Sequence, residues 1–194
     1  METNEMTPEM SIRLITDAIT KSRRDFEKNA GSPMVLWGIL VLVFSVAVWL
    51  FHTLTDNPYW NSLWFVLPLI GWPLSTLIMK KKCVSGARNF VNDILAQIWT
   101  VFGIFATVLA VMFVFIDPRF IAHYIAVLMG FAAAMTGVVL KKRIFTVCGF
   151  ITGIACPAAF SLMEGYAMTL IFAAVAVIDL LVPGIILNRK AAKN

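Results

Sequence analysis

The chain has 194 residues, of which 60% are hydrophobic and only 14% are charged. A soluble globular domain carries about 25% charged residues, so this composition excludes a water-soluble protein and predicts a polytopic membrane protein. A formal net charge of +5 is compatible with an acidic partner such as nucleic acid. The basic residues lie at the ends of apolar runs, however, where membrane topology accounts for them. We therefore expect no nucleic-acid partner.

The N-terminal segment predicts an amphipathic helix. Thr7 is a suitable N-cap, Pro8 suits the first helical position, and Glu9 places an acid in the first turn. One face is apolar (Ile12, Ile15, Ile19 and Phe26, with Leu14 and Ala18 beside it), and Arg13, Lys21, Arg23, Arg24 and Lys28 lie largely around the rest.

Such a pattern is typical of a helix lying on anionic lipid head groups. A solvated helix packed on the cytoplasmic ends of the bundle fits it equally well. The sequence Asn-Ala-Gly-Ser-Pro at 29–33 predicts a break, so residues 1–33 are expected to form a cytoplasmic helix and linker.

Six apolar runs follow, each near the 17–25 residues that cross a bilayer core. They cover 34–55, 62–79, 94–116, 120–140, 144–163 and 166–187. We predict an all-α polytopic membrane helix bundle over residues 34–187, with six transmembrane helices in three hairpins. Residues 188–194 are expected to form a short basic cytoplasmic tail.

The basic residues decide between the two orientations of this bundle. If both termini are cytoplasmic, 15 of the 16 lysines and arginines lie inside and only Arg119 lies outside. The positive-inside rule therefore predicts both termini in the cytoplasm. A polar segment precedes the first apolar run, so we expect no cleavable signal peptide. No Asn-x-Ser/Thr acceptor occurs, and we expect a bacterial inner membrane.

Small residues indicate where helices approach closely. The fourth run carries a stripe of them and the fifth carries two glycines four residues apart: Gly130, Ala133, Ala134 and Gly137, then Gly149 and Gly153. Packing inside the bundle is one use of such residues, and a homodimer through Gly149 and Gly153 is the other.

Prolines are expected to bend three of the spans. They are Pro68 and Pro73 in the second, Pro157 in the fifth and Pro183 in the sixth. Broken helices line the substrate pathway of many transporters, but prolines inside helices also occur in membrane proteins of other functions.

Asp179 is the one carboxylate deep inside an apolar run. An aspartate at the centre of a membrane helix costs about 2.5–3.5 kcal/mol on insertion scales, so it should face the bundle interior and have partners. Matching depths on other spans predict the partners Thr152, Gln97, Thr100 and Ser45. Asp179 is expected to act either as a proton or cation relay or as a hydrogen-bonded carboxyl that ties the sixth span to its neighbours.

A second group of polar residues is predicted at the outer rim: His52, Asp56, Asp117, His123 and Glu164. Imidazole and carboxylate groups are ligands of divalent metals such as Zn²⁺, and His52, His123 and Glu164 are the candidate set. The alternative is a set of interfacial polar residues that cap helix ends, with no metal. Within this group His52 and Asp56, four residues apart, can form a local hydrogen bond.

Several short segments resemble a family of uncharacterised small bacterial inner-membrane proteins with six spans. They are Leu-Ile at 14–15, Ser-Arg-Arg-Asp-Phe at 22–26, Leu-Trp-Gly at 36–38, Thr-Gly-Val-Val-Leu at 136–140 and Val-Pro-Gly-Ile-Ile-Leu at 182–187. The resemblance implies a six-span body with a cytoplasmic N-terminal helix. It implies no catalytic residue.

Two functions follow as hypotheses. The first is a non-enzymatic accessory module that uses its N-terminal helix to bind lipid or a partner, and the second is a small transporter, possibly dimeric, with Asp179 as relay. The sequence contains no metalloprotease, serine hydrolase, P-loop or dinucleotide-binding motif, so we expect neither an enzyme nor a bound cofactor.

Overall fold

A computed structural model describes residues 7–82, 90–116, 121–162 and 165–193, with the backbone alone for 22–30, 58, 79–82, 90–92, 114, 166 and 190–193. Within these ranges all regular structure is helical. The α-helices are α1 (Pro8–Thr55), α2 (Leu63–Lys82), α3 (Phe90–Ile116), α4 (Ile121–Leu140), α5 (Arg143–Leu162), α6 (Met168–Ala176) and α7 (Val182–Lys193). Short 3₁₀ turns cover Pro58–Ser62 and Gly165–Ala167, and a π turn, Val177–Leu181, joins α6 to α7.

Six spans are confirmed. In the described part of the chain, six helical stretches are long and apolar enough to cross a membrane: Gly31–Thr55, Tyr59–Ile78, Asp93–Phe113, Ile121–Leu140, Arg143–Leu162 and Met168–Arg189. Each coincides with a predicted apolar run to within a few residues. The sixth consists of α6, the π turn and most of α7. By the length and composition of these six helices, the protein is a multi-pass membrane helix bundle.

The predicted start of α1 is confirmed, but the predicted break is wrong. The Thr7 hydroxyl accepts a hydrogen bond from the Met10 amide at 3.3 Å, with Pro8 at the first helical position. The helix then continues for 48 residues, through Pro33, to Thr55.

Pro33 cannot donate a hydrogen bond to the carbonyl four residues earlier. That carbonyl, at residue 29, precedes the first candidate span, which begins at Gly31. Water can therefore hydrate it, and the helix does not have to stop. The N-terminal segment and the first span are one helix, about 72 Å long at 1.5 Å per residue.

The first and sixth spans pack antiparallel along a seam of α1. A Cβ added to Gly31 would lie 2.9 Å from the Gly184 carbonyl oxygen, and one added to Gly38 would lie 2.7 Å from the Leu181 side chain. Gly31 also approaches Asn188. The seam repeats every three and four residues and is buried throughout: Gly31, Met34, Gly38, Val41, Ser45, Val48 and His52.

The close packing of α4 against α5 confirms the predicted use of small residues inside the bundle. A Cβ added to Gly130 would lie 2.6 Å from the Gly153 amide nitrogen and 2.7 Å from the Gly149 carbonyl oxygen. The two backbones therefore touch, which is possible only without side chains.

The turn between α4 and α5 is short. The Lys142 amide bonds to the Gly137 carbonyl at 2.9 Å, and the Lys141 amide bonds to the Val138 carbonyl at 3.2 Å. These two bonds form a Schellman motif, which ends α4 with Lys141 in the left-handed conformation at φ 54°.

The second and third spans lie at the edge of the bundle. Only 11% and 6% of their most apolar stretches are buried, against 44% for α4 and 50% for the sixth span. Gly71 of α2 lies against the indole ring of Trp37 on α1. In α3, Leu95 is fully buried, whereas Phe105 and Phe115 are exposed.

Candidate functional site

The site begins with an irregularity in the sixth span. The Val182 amide bonds to the Val177 carbonyl, five residues back, in the π turn. The carbonyl of Ile178, which would accept this amide in an α-helix, loses its donor. The carbonyl of Asp179 loses its own, because Pro183 has no N–H. Short π segments are frequent at functional sites.

Asp179 lies at the centre of this turn and is fully buried. The Thr152 hydroxyl of α5, also fully buried, donates a hydrogen bond of 2.7 Å to Asp179 Oδ2. Asp179 Oδ1 is buried and has no hydrogen-bond partner. The sequence prediction that Thr152 and Asp179 meet is therefore confirmed, and their contact joins the fifth span to the sixth.

Acceptors outnumber protons around Thr152. Its hydroxyl oxygen lies 3.0 Å from the Cys148 carbonyl oxygen and 3.2 Å from the Gly149 carbonyl oxygen, in addition to Asp179 Oδ2. A threonine hydroxyl carries one proton, so these three oxygens compete for it, while Asp179 Oδ1 has none.

Ser45 lies in the seam between α1 and the sixth span, at a different level along that span from Asp179. Its hydroxyl is fully buried and has no hydrogen-bond partner. The register that sets Gly31 against Asn188 and Gly38 against Leu181 places Ser45 near residue 174. Ser45 is therefore more than one helical turn from Asp179, about 7 Å along the axis.

The two remaining predicted partners face away from this site. Gln97 and Thr100 are exposed on α3, and the Thr100 hydroxyl donates to the Ala96 carbonyl of its own helix at 2.7 Å. Gln97 lines an apolar groove of about 450 Å³ between α3 and α4. Depth in the bilayer therefore predicted the contact of Thr152 correctly. It failed for the third span, whose rotation directs Gln97 and Thr100 away from Asp179.

The outer-rim residues divide among several environments. His52 is buried in the α1 seam, and Asp56 follows the helix in the left-handed conformation, with its amide bonded to the His52 carbonyl at 2.9 Å. His123 of α4 packs against the Phe160 ring of α5, with 4.6 Å between centroids. Asp117 and Glu164 lie outside the described residues.

Among the residues described, no group of three or more histidine, cysteine, aspartate or glutamate side chains is arranged to hold a metal ion. Glu164, one of the three candidate ligands, is not described, so the metal hypothesis remains a prediction. At the end of α1 the Asp56 amide donates a backbone hydrogen bond to the His52 carbonyl.

Sequence reasoning missed the π turn. Its signal was present, because a proline four residues after a buried aspartate removes the donor from the aspartate's own carbonyl. Cys148 and Cys156 lie four residues before and after Thr152, which places both on the side of α5 that carries Thr152.

Comparison of the chain with protein-family models, with curated proteins and with solved structures gave no match. The resemblance to six-span bacterial membrane proteins therefore remains a prediction. The class that the fold defines is a multi-pass membrane protein with six helical spans.

Proposed function

We propose that the protein is a non-enzymatic membrane module that presents its N-terminal helix to a partner protein in the cytoplasm. The observation that supports this is the continuity of α1. Its first 23 residues form an arm, residues 8–30, that is one helix with the first span and about 35 Å long.

The described apolar side chains of the arm are largely exposed. Ile12 and Ile15 are 64% and 60% exposed, and Ile19 is half-buried. These three stand at positions i, i+3 and i+7, the spacing of helices that bind in hydrophobic grooves of partner proteins. A groove on a cytoplasmic protein fits a straight arm better than a lipid surface does, because a helix must turn at the membrane boundary to lie on lipid.

The orientation is part of this proposal. The approach of Gly31 to Asn188 brings the beginning of the first span and the end of the sixth to one end of the bundle. Fifteen of 16 basic residues fall on that side if the spans alternate, which supports both termini being cytoplasmic in a bacterial inner membrane. The arm then extends into the cytoplasm.

Site-specific photocrosslinking tests the arm. A photoreactive residue at Ile12 or Ile15 should trap one defined cytoplasmic protein, and the same residue at Asp17, on the opposite face, should trap it much less. Ile15→Asp should weaken co-purification of that protein at least tenfold, because a charge cannot enter an apolar groove.

Deletion of residues 1–30 should abolish capture while the six-span body still elutes as a folded species in detergent. Capture that persists after the deletion contradicts the proposal. If the arm crosslinks to phospholipid at Ile12 and to no protein, anionic lipid is its target instead, and vesicle binding should then weaken with salt.

The Asp179 site supports a second candidate, a small transporter with this carboxyl as a proton or cation relay. Intramembrane carboxylates facing a bundle interior commonly mark ion pathways. Here the carboxyl lies in a span with a π turn, in the same turn as two backbone carbonyls without their α-helical donors. Six short spans enclose little volume, so a dimer is part of this candidate.

Proteoliposome flux tests the relay. Asp179→Asn keeps the size and the Thr152 contact but removes the charge, and it should eliminate pH-coupled flux. Unchanged flux removes Asp179 from the relay. The homodimer through Gly149 and Gly153 is testable by crosslinking, although α4 of the same chain already packs on Gly149.

A further inference from the structure

We propose that Asp179, Thr152 and the carbonyl groups of the π turn form a binding site for a small monovalent cation, with Na⁺ as the ion of matching chemistry. This rests on the transporter candidate above and names what its site would take. The ligands would be oxygens alone, which hard cations prefer.

The first support is the surplus of acceptors. Asp179 Oδ1 is buried without a hydrogen-bond partner, and Oδ2 shares the one Thr152 proton with two backbone carbonyls. A bound cation would satisfy Oδ1 and Oδ2 together and would leave the Thr152 proton for the Cys148 carbonyl.

The second support is independent and comes from the backbone. The π turn and Pro183 remove the α-helical donors from the carbonyls of Ile178 and Asp179. Carbonyls released at interrupted membrane helices coordinate Na⁺ in transporters of several folds. In this chain they belong to the same turn as the buried carboxyl.

The third support is charge. The π turn contacts α1, α4, α5, α6 and α7. The basic side chains described on these helices are Arg13, Lys21, His52, His123, Arg143 and Arg189. Measured along the axis of its own helix, each lies about 10 Å or more from the level of Asp179. The thiols of Cys148 and Cys156 are the titratable groups nearer to it. One carboxylate balances one monovalent ion, whereas a divalent ion would leave a net charge inside the bilayer.

Thermal unfolding of the purified protein tests the site. NaCl is exchanged for choline chloride at constant ionic strength. A ligand that binds the folded state raises the midpoint temperature of unfolding as its concentration increases. We expect the midpoint of the wild type to rise with Na⁺ and that of Asp179→Asn to stay constant.

Thr152→Val should raise the apparent Kd for Na⁺ about tenfold, equivalent to about 1.4 kcal/mol, and Thr152→Ser should restore it. Thr136→Val is the matched control, because Thr136 is equally buried but its hydroxyl bonds only to the Ala132 carbonyl of its own helix. If Asp179→Asn does not fold, the three threonine variants still decide the question.

Equal midpoints in Na⁺, K⁺ and choline would overturn the cation site. A midpoint that responds to pH and not to Na⁺ would also overturn it, while leaving Asp179 as a proton relay. Stabilisation by Na⁺ with no flux of any ion in proteoliposomes would support the site and reject the transport function.

Discussion

The third and fourth spans have similar hydropathy but opposite places in the bundle. Their most apolar stretches have mean hydropathies of 2.1 and 1.8, yet 6% of the third is buried within the protein and 44% of the fourth. In a bilayer the lipid tails are as apolar as the side chains, so hydropathy gives a helix no reason to enter the bundle. Burial must follow from shape.

The glycines of the two spans show the difference in shape. A Cβ on Gly130 of α4 would collide with the backbone of α5, whereas a Cβ on Gly103 of α3 would meet no atom within 4 Å. Small residues support close packing only when a partner helix presents its own small residues at the same level. The short turn at Lys141 and Lys142 holds α5 in that position beside α4.

The comparison is tested most strongly by adding one methyl group at each glycine. Gly130→Ala should lower the unfolding free energy by about 3 kcal/mol, because α4 and α5 must separate. Gly103→Ala should not lower it and should raise it by up to about 1 kcal/mol, since the added Cβ meets no atom within 4 Å and alanine favours a helix interior over glycine. Unfolding in mixed micelles measures the free energy of both variants, and similar losses would contradict the difference in packing between α4 and α3.

Removing an aromatic ring provides the second test. Phe160 of α5 is fully buried against His123, whereas Phe115 of α3 is 83% exposed. Phe160→Ala should lower the unfolding free energy by about 3 kcal/mol through the cavity that it leaves. Phe115→Ala should change it very little, since lipid replaces the ring. An equal cost at Phe115 would mean that α3 has a packing partner in the membrane.

The polar contact of the interior should have a smaller effect. Thr152→Val removes the donor to Asp179 Oδ2 and should cost about 1 kcal/mol in the absence of Na⁺, within the range for interhelical hydrogen bonds in membranes. Thr136→Val should cost less, because its hydroxyl bonds within α4 alone. A double-mutant cycle with Asp179→Leu isolates the pair, and additive losses would show no coupling.

The smallest change is expected at the turn between α4 and α5. Lys141 adopts φ 54°, a conformation that glycine reaches without strain. Lys141→Gly should therefore raise the unfolding free energy by about 0.5–1 kcal/mol. If Lys141→Gly destabilises the protein instead, the lysine side chain makes a stabilising contact. Lys141→Asn, which also tolerates the left-handed conformation, should then destabilise the protein as well.

Much of the candidate site followed from depth alone. The sequence places Asp179 and Thr152 at the same level in the bilayer, and in the structure the Thr152 hydroxyl donates to Asp179 Oδ2 at 2.7 Å. The same argument predicts Gln97 and Thr100 as partners of Asp179, but both are exposed on α3. Depth fixes only the height of a side chain in the bilayer. The rotation of its helix depends on neighbouring helices, which belong to other parts of the sequence.

The sequence by itself determined the number of spans, their bounds within a few residues and the start of α1 at Thr7. These features depend on local chemistry, namely apolar length, charge and capping, which each segment carries without reference to the others. Tertiary structure alone decided that α1 continues through Pro33 into its seam with the sixth span, that Gln97 and Thr100 turn away from Asp179, and that the third span remains at the edge. Each of these depends on which surfaces meet, and a linear pattern does not contain the angle at which a helix faces its partner.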